Sequence, residues 1–326
     1  MAESQLHKIA NCDRVDRIGD VIFVHGLGGD ALGTWHSQGK KDDEQSWLFW
    51  LGQDLANVGI WSIDYEVEPS AWKGNAMPLT DRATNILELL NVNDIGDRPI
   101  ILVTHSLGGL LVKQMFRTAS DRQDKEWKNI VEKTRGIVFL ATPHSGSNIA
   151  NWVNYIGNIL LRKTVSFEEL KGSSPQLLDL NLWFRERFSD LNVGVGVYYE
   201  KEKLSFSKFL GVIPLPGIVI VGATSADPGI PGVKLTALDG NHITICRPDS
   251  KDRTVYLSVK KLIEKWFSTQ QNNASSDSKS KQLQTENIQN VLYGNEGTQI
   301  SNPQAPILKD IKDSSITLNY YSKPQN

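Results

Sequence analysis

ILVTHSLGGLLVKQMF, residues Ile101–Phe116, decides the fold. Its first half, Ile101–Thr104, is a continuous apolar, β-branched run that reads as a strand buried on both faces. Its second half, Leu107–Thr118, has the apolar spacing of a helix that opens at Gly108 and Gly109. Ser106 falls between the two. A serine on a sharp strand-to-helix turn stands its hydroxyl clear of the sheet, and small neighbours let strand and helix approach closely. Gly108 meets that need, whereas the position two before the serine is Thr104 where the G-x-S-x-G pattern has glycine. Ser106 also sits at a helix N-terminus, where unpaired N–H groups favour a developing negative charge. Capping the helix is the plainer role for such a serine. The choice between the two rests on its companions.

Working outward, further buried-strand runs occur at Val21–His25, Pro99–Thr104, Gly136–Ala141, Val193–Tyr199 and Gly217–Ala223, with a weaker one at Ile60–Tyr65. Helical periodicity alternates with them at Trp47–Val58, Leu79–Leu90 and Arg253–Phe267. This alternation predicts an α/β fold, a mainly parallel sheet with helices on both faces. Residues 147–190 interrupt the rhythm with two amphipathic helical patterns, expected to form a lid-like insertion over one end of the sheet. The expected organisation is an N-terminal extension (1–19), a catalytic domain (20–267), a polar linker (268–284) and a tail (285–326) that is β-prone or disordered.

The first strand runs into VHGLGGD, Val24–Asp30, whose glycines free the backbone to aim N–H groups into a site. Acyl transfer needs two such donors where a carbonyl oxygen becomes negative. The amides of Leu27 and Leu107 are the candidates. A phosphate-binding dinucleotide loop is disfavoured, because G-x-G-x-x-G is absent and no helix pattern opens directly after Gly29.

A nucleophilic serine needs a base and an acid, and on this kind of fold the chain order is Ser, acid, His. Four of the six histidines (His7, His25, His36, His105) precede Ser106. His105 adjoins the serine and is expected to point elsewhere; His144 follows the next strand and comes too early. His242, in LDGNHITIC after the last strand, remains as the base. Glu200, directly after VGVGVYY, is favoured as the acid over Asp227 in TSADPG, which also reads as a plain turn. Asp239 reads as a loop residue.

Composition narrows the field. With 35 basic and 37 acidic residues the chain has no nucleic-acid footprint. Cys12 and Cys246 are too few and too far apart for a disulfide scaffold or a metal knuckle. No signal peptide or membrane-length apolar run is read, so the expected location is cytoplasmic, with peripheral membrane contact allowed.

Together, VHGLGGD followed by Thr34–Trp35, THSLGGLLVKQ, FLATPHSGS, the VYYE strand end and LDGNHITIC resemble the α/β-hydrolases related to the serine-active-site-containing protein and GPI inositol deacylase. The matching pieces span about residues 20–267. The resemblance implies a lipase-like serine esterase acting on acyl esters, often of phospholipids or lipid anchors. It casts Ser106, His242 and Glu200 as nucleophile, base and acid, and the reaction calls for no cofactor. Apolar residues of the insertion, Trp152, Tyr155 and Ile156, are candidates to line an acyl-chain channel, as is LSFSKFLGVIPLPGIV after Glu200; ordinary core packing is the competing account. An acyltransferase using the same serine stays open. The tail, rich in Asn, Gln, Ser and Thr, reads first as a mostly disordered extension able to pair with a sheet edge. It also resembles short amyloid-like signalling motifs of immune effectors, which would make the chain a self-associating effector module.

Overall fold

The computed structural model describes residues 3–41, 46–65, 79–144, 174–204 and 219–269. In chain order these form β1 (Gln5–Ala10), β2 (Gly19–Val24), α1 (Trp47–Asp54), β3 (Val58–Asp64), α2 (Leu79–Asn91), β4 (Ile100–His105) and α3 (Leu107–Arg122). Then come α4 (Lys125–Lys133), β5 (Thr134–Leu140), α5 (Ser174–Leu191), β6 (Gly194–Glu200), the short α6 (Ala223–Ala226) and β7 (Leu235–Leu238). A last helix, α7, covers residues 254–269.

The strands make one seven-stranded sheet in the order β1-β3-β2-β4-β5-β6-β7. Every neighbouring pair runs parallel except β1 with β3. Each residue of β2 and β4 is buried, which explains the apolar runs Val21–Val24 and Ile100–Val103: both faces of the sheet are covered. Strand alternation shows by what. On β5 and β6, Gly136, Gly194 and Gly196 lie against Trp266 and Leu262 of α7. Phe139, of opposite parity, packs toward Gly109 of α3 on the other face. A methyl group at Gly136 or Gly194 would overlap the Trp266 indole, so these glycines set how closely α7 lies on the sheet.

Four details depart from the sequence reading. Residues 5–10, assigned to an extension, form the antiparallel edge strand β1, paired from Gln5↔Asp64 to Lys8↔Trp61 and, after a register shift, at Ala10↔Ile60. An edge strand with partly exposed residues lacks the buried apolar run by which the others are recognised. The expected strand Gly217–Ala223 is not one across its described residues, 219–223. The amides of Ile220 and Val221, which a ladder would use, instead donate to the Glu200 carboxylate. The last strand is β7, and the unforeseen helix α4 is capped by Asp124, whose side chain accepts from the Trp127 amide. Of the expected helical insertion, the SPQLLDLNLWFRERF pattern is α5. Residues 145–173 lie outside the described residues, and so do Trp152, Tyr155, Ile156, most of the apolar stretch after Glu200, the linker beyond residue 269, and the tail. Among the described residues no helix is long and apolar enough to cross a membrane.

Candidate active site

The C-terminal ends of β2, β4 and β6 converge on Ser106. β4 stops at His105, and Ser106 adopts φ 56° and ψ −123° before α3 begins at Leu107. A non-glycine residue in that region is strained and persists where the surroundings over-determine it. Here the Ser106 amide donates to Leu140 O of β5 at 2.9 Å, and its carbonyl accepts from the Gly109 amide at 3.1 Å. Gly108 lies so close to the end of β2 that a Cβ would overlap the Val24 and His25 carbonyl oxygens. Thr104, where the motif has glycine, is accommodated because its hydroxyl donates to Val138 O of β5 at 2.9 Å.

His242 brings Nε2 to 3.0 Å from Ser106 Oγ and Nδ1 to 3.1 Å from Glu200 Oε2. All three residues are almost wholly buried among the described residues. The carboxylate can only accept, so Nδ1 carries the proton and Nε2 turns its lone pair to the serine hydroxyl. The second oxygen, Glu200 Oε1, accepts from the Ile220 and Val221 amides at 2.8 and 2.6 Å, so backbone donors hold that side of the carboxylate. Asp227 does not join this chain. Its side chain is exposed and accepts from the Gly229 amide at 2.8 Å, the turn that its sequence also suggested.

The loop after β2 passes directly under the serine. A Cβ on Gly26 would lie 2.7 Å from Ser106 Cβ and 3.1 Å from Oγ. The carbonyl of Gly26 accepts from the Gly29 amide at 3.1 Å and lies 2.9 Å from His25 Nδ1. Tyr65, at the end of β3, donates its hydroxyl to His25 O at 2.6 Å and stacks on the His25 ring. Burial drives the Tyr65 phenol well above its ordinary range, so it stays a neutral donor. Among the described residues the Leu27 and Leu107 amides, the two oxyanion candidates, donate no hydrogen bond to protein.

Thr34 ties the glycine loop to the base loop. Its hydroxyl accepts from the Asp30 amide at 3.0 Å, and its carbonyl accepts from Cys246 Sγ and Arg247 Nε, each at 3.3 Å. Next to it, Trp35 is buried with Phe23 and Trp47, and Trp47 Nε1 donates to Cys246 O at 3.0 Å. The Thr34–Trp35 pair thus helps hold the His242 loop in place.

Two groups escaped the sequence reading. His105, expected to point away, has Nε2 2.8 Å from His242 O. Its only sequence signal was adjacency to Ser106. Behind α3, the buried Lys113 Nζ lies 2.6 Å from both His144 Nδ1 and Asn181 Oδ1, and over the Phe139 and Phe184 rings. Burial holds Lys113 and His144 each well below its ordinary range. These partners are far apart in sequence, so spacing gave no clue. Among the described residues no three His, Cys, Asp or Glu side chains converge as metal ligands.

Comparison with known proteins gives the same fold. Residues 19–160 match the family described as PGAP1-like alpha/beta domain. Protein SERAC1 of Bos taurus is 33% identical over 254 residues, 73% of this chain and 37% of that protein. Protein SERAC1 of Danio rerio is 33% identical over 268 residues, 75% and 38% of the two chains. The chain thus matches little more than a third of the length of these relatives. Among solved structures, Phospholipase PlaB from Legionella pneumophila superposes with a TM-score of 0.51 at 13% identity, over 74% of this chain and 58% of that one. That likeness speaks for the fold alone. Taken together, sheet order, elbow and relatives give the chain the α/β-hydrolase fold with a PGAP1-like alpha/beta domain.

Proposed function

From the premise that this chain is an α/β-hydrolase related to Protein SERAC1, with a PGAP1-like α/β domain over residues 19–160, we propose that it is a serine esterase acting on acyl esters of lipids. The observation that carries the reading is the unbroken relay from Ser106 Oγ to His242 Nε2 at 3.0 Å and from His242 Nδ1 to Glu200 at 3.1 Å.

In the proposed reaction His242 Nε2 takes the Ser106 proton as Oγ attacks the ester carbonyl carbon. The carbonyl oxygen becomes an oxyanion held by the Leu27 and Leu107 amides. Each such donor is worth on the order of 3 kcal/mol to the transition state. When the tetrahedral intermediate collapses, the C–O bond to the alcohol breaks and His242 returns the proton to the leaving oxygen. The acyl group stays on Ser106 until His242 activates a water against it. Glu200 keeps its own charge throughout, orienting the imidazole and stabilising the imidazolium. These steps require neither a metal nor an organic cofactor.

The preference for lipids rests on the apolar composition of residues 147–190, with Trp152, Tyr155 and Ile156, and of the stretch that follows Glu200. It carries with it peripheral contact with a lipid surface, and it leaves the tail as a candidate for self-association.

The test is turnover of p-nitrophenyl esters of graded chain length by wild type and Ser106→Ala, with a competing alcohol added. Ser106-dependent hydrolysis that rises with chain length supports the lipid-ester reading. Hydrolysis of short esters alone overturns the lipid part. Dominant transesterification identifies an acyltransferase, and activity that survives in Ser106→Ala removes Ser106 as nucleophile.

A further inference from the structure

We infer that His105, the residue before the nucleophile, is a positioning residue for the catalytic base, its Nε2–H holding the backbone carbonyl of His242. The inference rests on the proposed roles of Ser106 and His242. His105 Nε2 lies 2.8 Å from His242 O, and a carbonyl oxygen only accepts, so Nε2 carries the proton. The ring is almost fully buried, and its plane is tilted 44° to that of His242, with centroids 5.0 Å apart. Burial, and then the neighbouring His242, holds this imidazole well below the ordinary histidine range. A neutral His105 places no second positive charge beside His242 when His242 becomes imidazolium.

The topology explains why such a contact matters. Ser106 leaves the end of β4, whereas His242 sits on the loop after β7, with β5 and β6 between those strands in the sheet. Other backbone contacts of the base loop lie elsewhere or within the loop. The Glu202 amide donates to Gly240 O at 3.0 Å, and Asn241 Oδ1 accepts from the Ile243 and Thr244 amides. His105 links the backbone of the base to the strand that carries the nucleophile, so the Oγ–Nε2 separation is set from both sides. Misplacing reacting groups by about 1 Å costs on the order of 100-fold in rate.

The experiment compares kcat and KM for a p-nitrophenyl ester in wild type, His105→Leu, His105→Asn and His105→Gln, with the thermal midpoint of each. Glutamine places its amide N–H near the position of the histidine Nε2–H; asparagine is polar but too short to reach. A fall in kcat of about tenfold or more is expected in the Leu and Asn variants at nearly unchanged KM, with His105→Gln within about threefold of wild type. Should His105→Leu not fold, the Asn and Gln pair decides. Asn and Gln equally active, or equally impaired, overturns the inference, because then no hydrogen bond from this position matters. A wild type without Ser106-dependent turnover overturns the functional reading itself, a different outcome visible in the same assay.

Discussion

Glu200 meets His242 at 3.1 Å with one carboxylate oxygen while its other oxygen is already taken by the Ile220 and Val221 amides. The carboxylate therefore has one free direction, and it points at the His242 imidazole, as the proposed acid and base require. Glu200→Gln is expected to lower kcat by about 10²–10⁴-fold, since the neutral amide neither stabilises the imidazolium nor enforces the tautomer. Asp227→Asn, in an exposed turn, is expected to stay within about twofold of wild type, as an exposed site away from the relay should. Steady-state kinetics on the two variants checks this, and the reverse ranking would assign the acid to Asp227.

Gly26→Ala tests the loop under the serine. The added methyl would stand 2.7 Å from Ser106 Cβ, so loop and nucleophile must separate. Activity is expected to fall about 100-fold or more, the scale of losing an oxyanion donor, while far-UV circular dichroism stays that of wild type. A variant of full activity would remove this loop from the site.

Lys113 gives a pH signature in stability. Burial keeps its folded-state pKa well below the ordinary lysine value, so between the two the unfolded chain binds more protons than the folded one. Its contribution to stability is therefore fully present above the unfolded pKa, about 10.4 in model peptides. It is lost as pH falls toward the folded value. Thermal midpoints of wild type relative to Lys113→Met are expected to rise as pH increases from neutral toward about 10. A constant difference across that range would mean that Lys113 titrates as an ordinary lysine.

Cys12 and Cys246 are free and buried, and burial raises both thiols, Cys246 to about 12. The native protein at mildly alkaline pH is expected to leave both unreacted toward a disulfide reagent, and to expose both on unfolding in denaturant. Rapid modification of the native protein would show that the loop carrying Cys246, beside His242, opens readily.

Much of this was legible in sequence, for reasons that differ from residue to residue. The buried parallel strands announced themselves because both faces are covered, so β2, β4, β5 and β6 are apolar throughout or nearly so. The proposed triad was read from order: Ser106 and Glu200 directly follow strand runs, His242 is the histidine that the Ser, acid, His order leaves, and the three side chains lie together. β1 was not, being an edge strand with partly exposed residues. The segment around Ile220 and Val221 misled because its apolar side chains read as a strand, whereas its amides serve a carboxylate. Lys113, His144 and Asn181 form a contact that only the packing of α3, α5 and the end of β5 creates.

The most direct test of the central claim is covalent labelling with a fluorophosphonate, read as intact mass and mapped to a peptide, on wild type and Ser106→Ala. A single phosphonyl adduct on Ser106, absent from a folded Ser106→Ala protein, is the predicted result. Failure of a folded wild type to label, or labelling that persists in Ser106→Ala, would contradict the account.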